Sequence, residues 1–450
     1  MILENSIPAI LSGTYVPSRS YGNPLYEFIA AFIYNDGGYV LVNCFSVVLS
    51  MLSLLLFDTL LSPNISKLRR ALAIGAIAFS PMFLSQSSAF TEWMLAVFLM
   101  LCLIVSVRQW IDCRTLSALA CYGLFSSLMV LTRPDWAVVC FGLCLATLWQ
   151  IGFVWRDSLR LLGVSLLAGA MTLAVFLTIN HGAGFLQQGV SGVASWSRRI
   201  VVAIVGMVTI FGFLGVPLMV LLTMDAGRRA LSRRSLPIGF YGRLFLILLP
   251  VLFFRFTILP DKLEYILPLT IFFVLMVANE PYRLSWLALV AVSMTVSSVV
   301  NVSLFERRGT DDHLLFGVHL QPGALVQDWR IAHYELLSMD PAFLARIAAV
   351  VYPDLPQPPR VTGSLYGPGL LSDAGDMIIG QDEAYRLDNP RQRPVYQRSL
   401  YRAIYICDRS VFHGNLGWRL MEAPVQRPSV NPLTGELDLH CHRESAGSDQ

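Results

Sequence analysis

Ten apolar runs, each close to the roughly 20 residues that cross a bilayer as a helix, fill the first two thirds of this chain, near residues 39–61, 71–90, 93–110, 115–132, 135–155, 159–180, 200–224, 243–259, 263–279 and 284–304. Hydrocarbon offers no partners to backbone N–H and C=O groups, so segments of this kind satisfy them internally as helices. Only 14% of the 450 residues are charged, against about 25% in soluble domains. The sequence therefore predicts a mostly α, polytopic transmembrane bundle.

Charge gives the bundle a direction. Residues 1–304 carry 19 Lys/Arg against 12 Asp/Glu, whereas residues 305–450 carry 14 against 18. Alternate links between the runs are rich in cations (Lys67, Arg69, Arg70; Arg108, Arg114; Arg156, Arg160; Arg228, Arg229, Arg233, Arg234, Arg243; Arg283). The other links hold Arg133, Arg198, Arg199 and Lys262, with Arg19 in the N-terminal segment. The positive-inside bias puts the richer set in the cytoplasm and both termini outside. The expected organisation is an external loop with an interfacial helix over 1–38, a transmembrane domain of about ten helices over 39–304, and a soluble mixed α/β extracytoplasmic domain over 305–450. Arg far outnumbers Lys, as a GC-rich bacterial genome encourages, which suggests a bacterial inner (plasma) membrane. No basic stripe lies along a soluble face, so nucleic acid is not an expected partner. An external 1–38 also needs an export segment ahead of it, and the expectation is one further span before residue 1.

In the tail, a helical pattern covers Trp329 to Val351 and a strand-like run covers Ala403 to Cys407. Six cysteines (Cys44, Cys102, Cys113, Cys121, Cys140, Cys144) fall in or beside apolar runs and read as small buried hydrophobes. Cys407 and Cys441 stand alone in the tail, either bonded to each other or free. His440 and His442 look like a metal tract, but in a terminal segment they read better as solvent-exposed residues.

The most distinctive stretch precedes the first run: Gly13, Pro17, Ser18-Arg19, Tyr21-Gly22 and Pro24-Leu25-Tyr26-Glu27. Glycines and prolines punctuate a tight path, Arg19 supplies a planar cation suited to phosphate, and Pro24 to Tyr34 reads as an amphipathic interfacial helix. Further on, Ser80-Pro81 ends one helix, and Ser85 to Trp93 places Glu92 in the second external link. Pro260-Asp-Lys262-Leu-Glu264-Tyr265-Ile-Leu-Pro268 then precedes a late span. This layout resembles the GT-C superfamily of polyprenyl-phosphate-sugar-dependent integral membrane glycosyltransferases. Those enzymes place an acidic residue in the second external loop, matched by Glu92, and a His-Lys-Glu, aromatic, Pro junction late in the bundle, where Asp261 replaces the His. They also carry a catalytic Asp or Glu after their first span; here Glu4 is the only acid before Glu27.

The resemblance implies inverting transfer of a sugar from a polyprenyl-phosphate donor to a lipid, glycan or protein hydroxyl at the outer face, with membrane lipids as neighbours. Such chemistry needs a carboxylate as general base and cations for the departing phosphate. The candidates for the catalytic carboxylate are Glu4 and Glu92, and those for substrate binding are Arg19, Tyr21, Glu27, Arg133, Asp135, Arg255, Lys262 and Tyr265. A divalent cation, Mg or Mn, is compatible with carboxylate and phosphate oxygens, although no dense carboxylate cluster demands one. Simpler roles stand beside these: helix capping for Glu92, a surface turn with a local ion pair for Arg133-Pro134-Asp135, snorkelling for Arg255. Two other classes stay open. A transporter or lipid-linked glycan flippase would carry broken or charged midplane helices and inverted repeats, of which the sequence shows little; an inactive GT-C-like scaffold would bind glycan or another membrane protein.

Overall fold

The computed structural model describes residues 7, 10–13, 15, 23–89, 91–179, 196–231, 238–258, 263–307, 314–322, 341–362, 370–380, 402–408 and 439–444. The chain divides into two compact units, Met1–Ala183 with Val201–Ile331, and Gly184–Ile200 with Ala332–Gln450.

The first unit is helical. Its helices are α1 (Pro24–Leu60), α2 (Lys67–Ala78), α3 (Pro81–Ser87), α4 (Trp93–Cys113), α5 (Leu116–Thr132), α6 (Ala137–Gln150), α7 (Trp155–Ile179), α8 (Trp196–Leu231, of which Val201 onward belongs to this unit), α9 (Phe240–Ile258), α10 (Leu267–Asn279) and α11 (Leu284–Val299), followed by a hairpin of β1 (Val300–Arg307) and β2 (Leu314–Pro322). Local chemistry sets the boundaries. Ser66 and Thr115 cap α2 and α5 by accepting backbone N–H groups, and prolines open α1 and α3, where a missing N–H costs nothing. At Gly38, φ is +60° and the backbone leaves helical geometry. That break separates the expected interfacial helix from the first apolar run, at a conformation only glycine adopts freely.

Each of the ten apolar runs contributes helix, although residues 300–304 of the last form the start of β1; among the described residues four helices are individually long and apolar enough to cross a membrane, or up to six when each of two bent pairs counts as one span. The bent pairs are α2 with α3, at 65°, and the halves of α8 on either side of Gly212, at 98°. Apolar length in a sequence does not register where Pro and Gly interrupt a helix. Stretches that read as single spans, such as 71–90, fold as two pieces. The protein is nonetheless a multi-pass membrane protein by its apolar helices.

The helix α10 is the hub: every residue from Leu267 to Ala278 is buried, packed by α2, α9 and α11. By contrast, α7 leaves Leu159, Leu162, Leu166, Leu167, Met171 and Leu173 exposed, a face that lipid covers. Alternate links gather at opposite ends. At the arginine-rich end, Arg69 donates to the carbonyls of Val277 and Glu280, Tyr241 to that of Leu60, and Arg243 to that of Trp149.

The second unit contains α12 (Pro341–Val351) and a mixed five-stranded sheet in the order β3 (Val361–Thr362), β4 (Leu370–Ser372), β5 (Met377–Gly380), β6 (Ile404–Cys407), β7 (Cys441–Glu444). Here β5 and β6 run parallel and the other neighbours antiparallel. Cys407 and Cys441 face each other in the β6–β7 register and form a disulfide. Asp376 is buried and accepts hydrogen bonds from Arg402 at 2.9 Å and from the Tyr352 hydroxyl at 2.8 Å.

Candidate functional site

At the arginine-poor end of the first unit, the links before α4, after α5 and before α10 converge. Ser46 in α1 donates to the carbonyl of Ala89 at 2.9 Å, which ties the link after α3 to the bundle. Thr91 donates to Gln86 Oε1 at 2.8 Å, and Gln86 Nε2 donates to Glu264 Oε1 at 3.0 Å. This chain of side chains joins two links that are far apart in sequence and delivers Glu92 to the start of α4.

Glu92 stands in the N-cap position, yet its side chain makes no capping bond. Its carboxylate pairs instead with Arg133 Nη1. Arg133 closes α5, and Pro134 behind it disfavours further helix, so Arg133 takes an extended conformation with φ −145° and ψ 95°. The guanidinium turns inward: Nη2 donates to Asp135 Oδ2 at 3.0 Å, and Nε lies 3.0 Å from Oδ1. It also lies 3.7 Å from the centre of the Trp93 ring and 5.4 Å from that of Tyr265. The Arg255 guanidinium, on α9, is 4.9 Å from the same Tyr265 ring. The expected surface turn is thus a buried one, its side chains 5% exposed at Arg133, 3% at Glu92 and 15% at Asp135. A surface turn was expected because Arg-Pro-Asp has the composition of one; the carboxylate that draws Arg133 inward lies 41 residues away.

Burial by itself pulls the Arg133 pKa down, but the Asp135 and Glu92 carboxylates outweigh it and hold the guanidinium above its ordinary value. Two carboxylates share one cation, so this triad carries a net negative charge. Arg255 is half-buried and pairs with no carboxylate among the described residues. The triad does not suit a divalent cation, since a guanidinium stands between its two carboxylates. Among the described residues no group of three or more His, Cys, Asp or Glu is placed to hold a metal ion.

Of the residues singled out from sequence, Glu92, Arg133, Asp135, Arg255 and Tyr265 come together. Glu27 is fully buried in the first turn of α1, where Tyr15 donates to it at 2.5 Å and stacks on Phe28. Burial first, and the Glu27 charge second, raise the Tyr15 pKa. Glu4, Arg19, Tyr21 and Lys262 lie outside the described residues. Sequence reasoning missed Gln86 and Trp136. Nothing in the sequence marks Gln86, whereas Trp136 directly follows the Arg-Pro-Asp turn. The ring of Trp93 carries the Arg133 guanidinium. At the opposite end of the unit, a cleft of about 630 Å³ is lined by Arg108, Asp112, Tyr241, Asn279 and Glu280 among others.

No protein-family model matches the chain, and no curated protein matches it. Among solved structures, the crystal structure of the Archaeoglobus fulgidus oligosaccharyltransferase complex with Zn and sulfate aligns with 65% of this chain at 14% identity and a TM-score of 0.36. This chain spans 44% of that one.

Proposed function

We propose that the protein is an inverting glycosyltransferase that moves a sugar from a polyprenyl-phosphate donor to a lipid, glycan or protein hydroxyl at the outer face of the plasma membrane. The observation that carries this reading is the buried Glu92–Arg133–Asp135 triad at the arginine-poor end, with Arg255 set against the adjoining Tyr265. Charged side chains at the end of a membrane bundle are costly to bury and mark functional sites by default. The positive-inside bias assigns this end to the outside, and Glu264 and Tyr265 of the late junction in the GT-C resemblance lie at the same end.

In this reaction the acceptor hydroxyl gives its proton to a carboxylate while its oxygen attacks the anomeric carbon. The bond from that carbon to the phosphate oxygen breaks, and the electron pair leaves on polyprenyl phosphate. Arg255 offsets the charge that develops there, with Arg19 and Lys262 as further candidates.

A flippase or transporter is the second reading, and the break of α8 at Gly212 is the observation in its favour. Broken helices in transporters line a cavity. Here Ser293 donates to the carbonyl of Phe211 at 2.7 Å, and a β-carbon on Gly212 would fall within 2.3 Å of Ser297 Oγ. The break is filled by α11, which favours the enzyme. The test is purified protein in lipid nanodiscs with radiolabelled polyprenyl-phosphate sugars and a panel of acceptors. Transfer is expected, with Arg255→Ala raising the donor KM about tenfold or more, the scale of one lost charged contact. Movement of the donor between leaflets without transfer would establish the transporter instead.

A further inference from the structure

We propose that Asp135 is the carboxylate that takes the acceptor's proton, and that Glu92 is a positioning residue acting through Arg133. The proposal rests on the glycosyl transfer proposed above. A general base has to come within about 2.6–3.2 Å of the proton it removes. The Glu92 side chain is 3% exposed and paired with Arg133, whereas that of Asp135 is 15% exposed on the same guanidinium. Arg133 touches both carboxylates, and the difference between them is access: Asp135 presents several times more of its side chain than Glu92 does.

The guanidinium geometry divides the roles. Arg133 lies over the Trp93 ring and divides its terminal nitrogens between two carboxylates, Nη1 toward Glu92 and Nη2 toward Asp135, with Nε 3.0 Å from Asp135 Oδ1 but donating no hydrogen bond to it. Each Asp135 oxygen faces one nitrogen of Arg133 and keeps lone-pair capacity for an acceptor hydroxyl. Pro134 and the hydrogen bond from the Trp136 backbone N–H to the Arg133 carbonyl, 2.9 Å long, fix the turn that presents Asp135. Trp136 in that turn is 1% exposed, and its indole N–H has no acceptor among the described residues. An orphan donor of this kind is what an oxygen of a bound molecule satisfies. On transfer, Asp135 gains the hydroxyl proton, the new glycosidic C–O bond forms, the C–O bond to phosphate breaks, and the proton later passes to water.

The test compares wild type, Asp135→Asn, Glu92→Gln and Glu92→Asp in nanodiscs, using the polyprenyl-phosphate sugar and acceptor that support wild-type transfer. Asp135→Asn is expected to lower kcat by about 10²- to 10⁴-fold, with donor KM unchanged. Glu92→Gln should lose no more than about tenfold, in kcat with donor KM unchanged, and Glu92→Asp, which keeps a carboxylate for Arg133, should recover most of that loss. An Asp135→Asn enzyme near full activity, a Glu92→Gln enzyme as crippled as Asp135→Asn should be, or a Glu92→Asp enzyme no better than Glu92→Gln each overturns this assignment while glycosyl transfer stands. Wild-type protein that transfers nothing overturns the transfer reading and this assignment with it. Should Asp135→Asn fail to fold, carbodiimide amidation of wild type decides: modification of Asp135 with Glu92 spared supports the assignment, and the reverse refutes it.

Discussion

Replacing Arg133 with Met removes one cation from between two carboxylates while keeping a long apolar stem over Trp93. Breaking a buried ion pair from one side costs about 3–5 kcal/mol, because it leaves an uncompensated charge. An orphaned carboxylate escapes by taking up a proton, and for an ordinary glutamate pKa near 4.3 this costs about 3.7 kcal/mol at pH 7. Asp135, at 15% exposure, rehydrates more readily and adds less. The expected loss is thus about 3–4 kcal/mol at pH 7. Its sign with pH follows, since a carboxyl kept protonated in the fold supports the fold below its unfolded pKa and stops doing so as pH rises. The deficit should shrink by roughly 2.7 kcal/mol between pH 7 and pH 5, two units at 1.36 kcal/mol each. Detergent-titration unfolding in mixed micelles, read by tryptophan fluorescence, measures both numbers. Adding Glu92→Leu should recover most of the loss, as replacing a whole buried pair does. A deficit below about 1 kcal/mol, the range of exposed pairs, or a double variant as unstable as the single one, would refute the buried triad.

Two glycines with positive φ separate backbone strain from crowding. Gly212 (φ +76°) would meet Ser297 and Ser293 if given a β-carbon, whereas Gly152 (φ +67°) has open space; Ala should cost about 1–2 kcal/mol at Gly152 and measurably more at Gly212 in the same unfolding titration. In the second unit, burial works to raise the Asp376 pKa, but the hydrogen bonds from Arg402 and Tyr352 outweigh it and hold the carboxyl below its ordinary value. That contribution is present above the unfolded pKa and is lost as pH falls through the folded one. Hydrogen exchange of Met377–Gly380 in the full-length protein, corrected for intrinsic rates, should therefore quicken at acid pH in wild type and show a flatter pH profile in Asp376→Asn. Reducing the Cys407–Cys441 bond, whose partners are 34 residues apart, should destabilise the second unit by about 3–4 kcal/mol on the chain-entropy account, seen as faster exchange of Ile404–Cys407 with reductant present.

The helical membrane architecture was legible because apolar length and the positions of arginine are one-dimensional signals. The strand at Ile404–Cys407 and the position of Glu92 at the head of α4 were readable for the same reason. The triad was not. Glu92 and Arg133 are 41 residues apart, and Gln86 and Glu264 are 178 apart; their meeting depends on how α3, α4, α5 and α9 pack, which no local pattern encodes. Each partner alone has an ordinary explanation, a cap, a turn or a snorkelling cation.

The arginines also tell the two ends apart in a way that charge counting misses. At the rich end three of them meet helix C-termini: Arg69 on the carbonyls that close α10, Arg243 on that of Trp149 at the end of α6, and Arg70 on Asp58 near the end of α1. These contacts complement the negative end of the helix dipole and satisfy carbonyls that lack partners in their own helix. At the poor end Arg133 also closes a helix, yet its guanidinium passes over the carbonyls to reach two carboxylates and an aromatic face, and Arg255 rests on Tyr265 with no described carboxylate to satisfy it. Arg69, Arg70 and Arg243 thus hold helix ends together, whereas Arg133 and Arg255 gather on the ring of Tyr265 between the converging links.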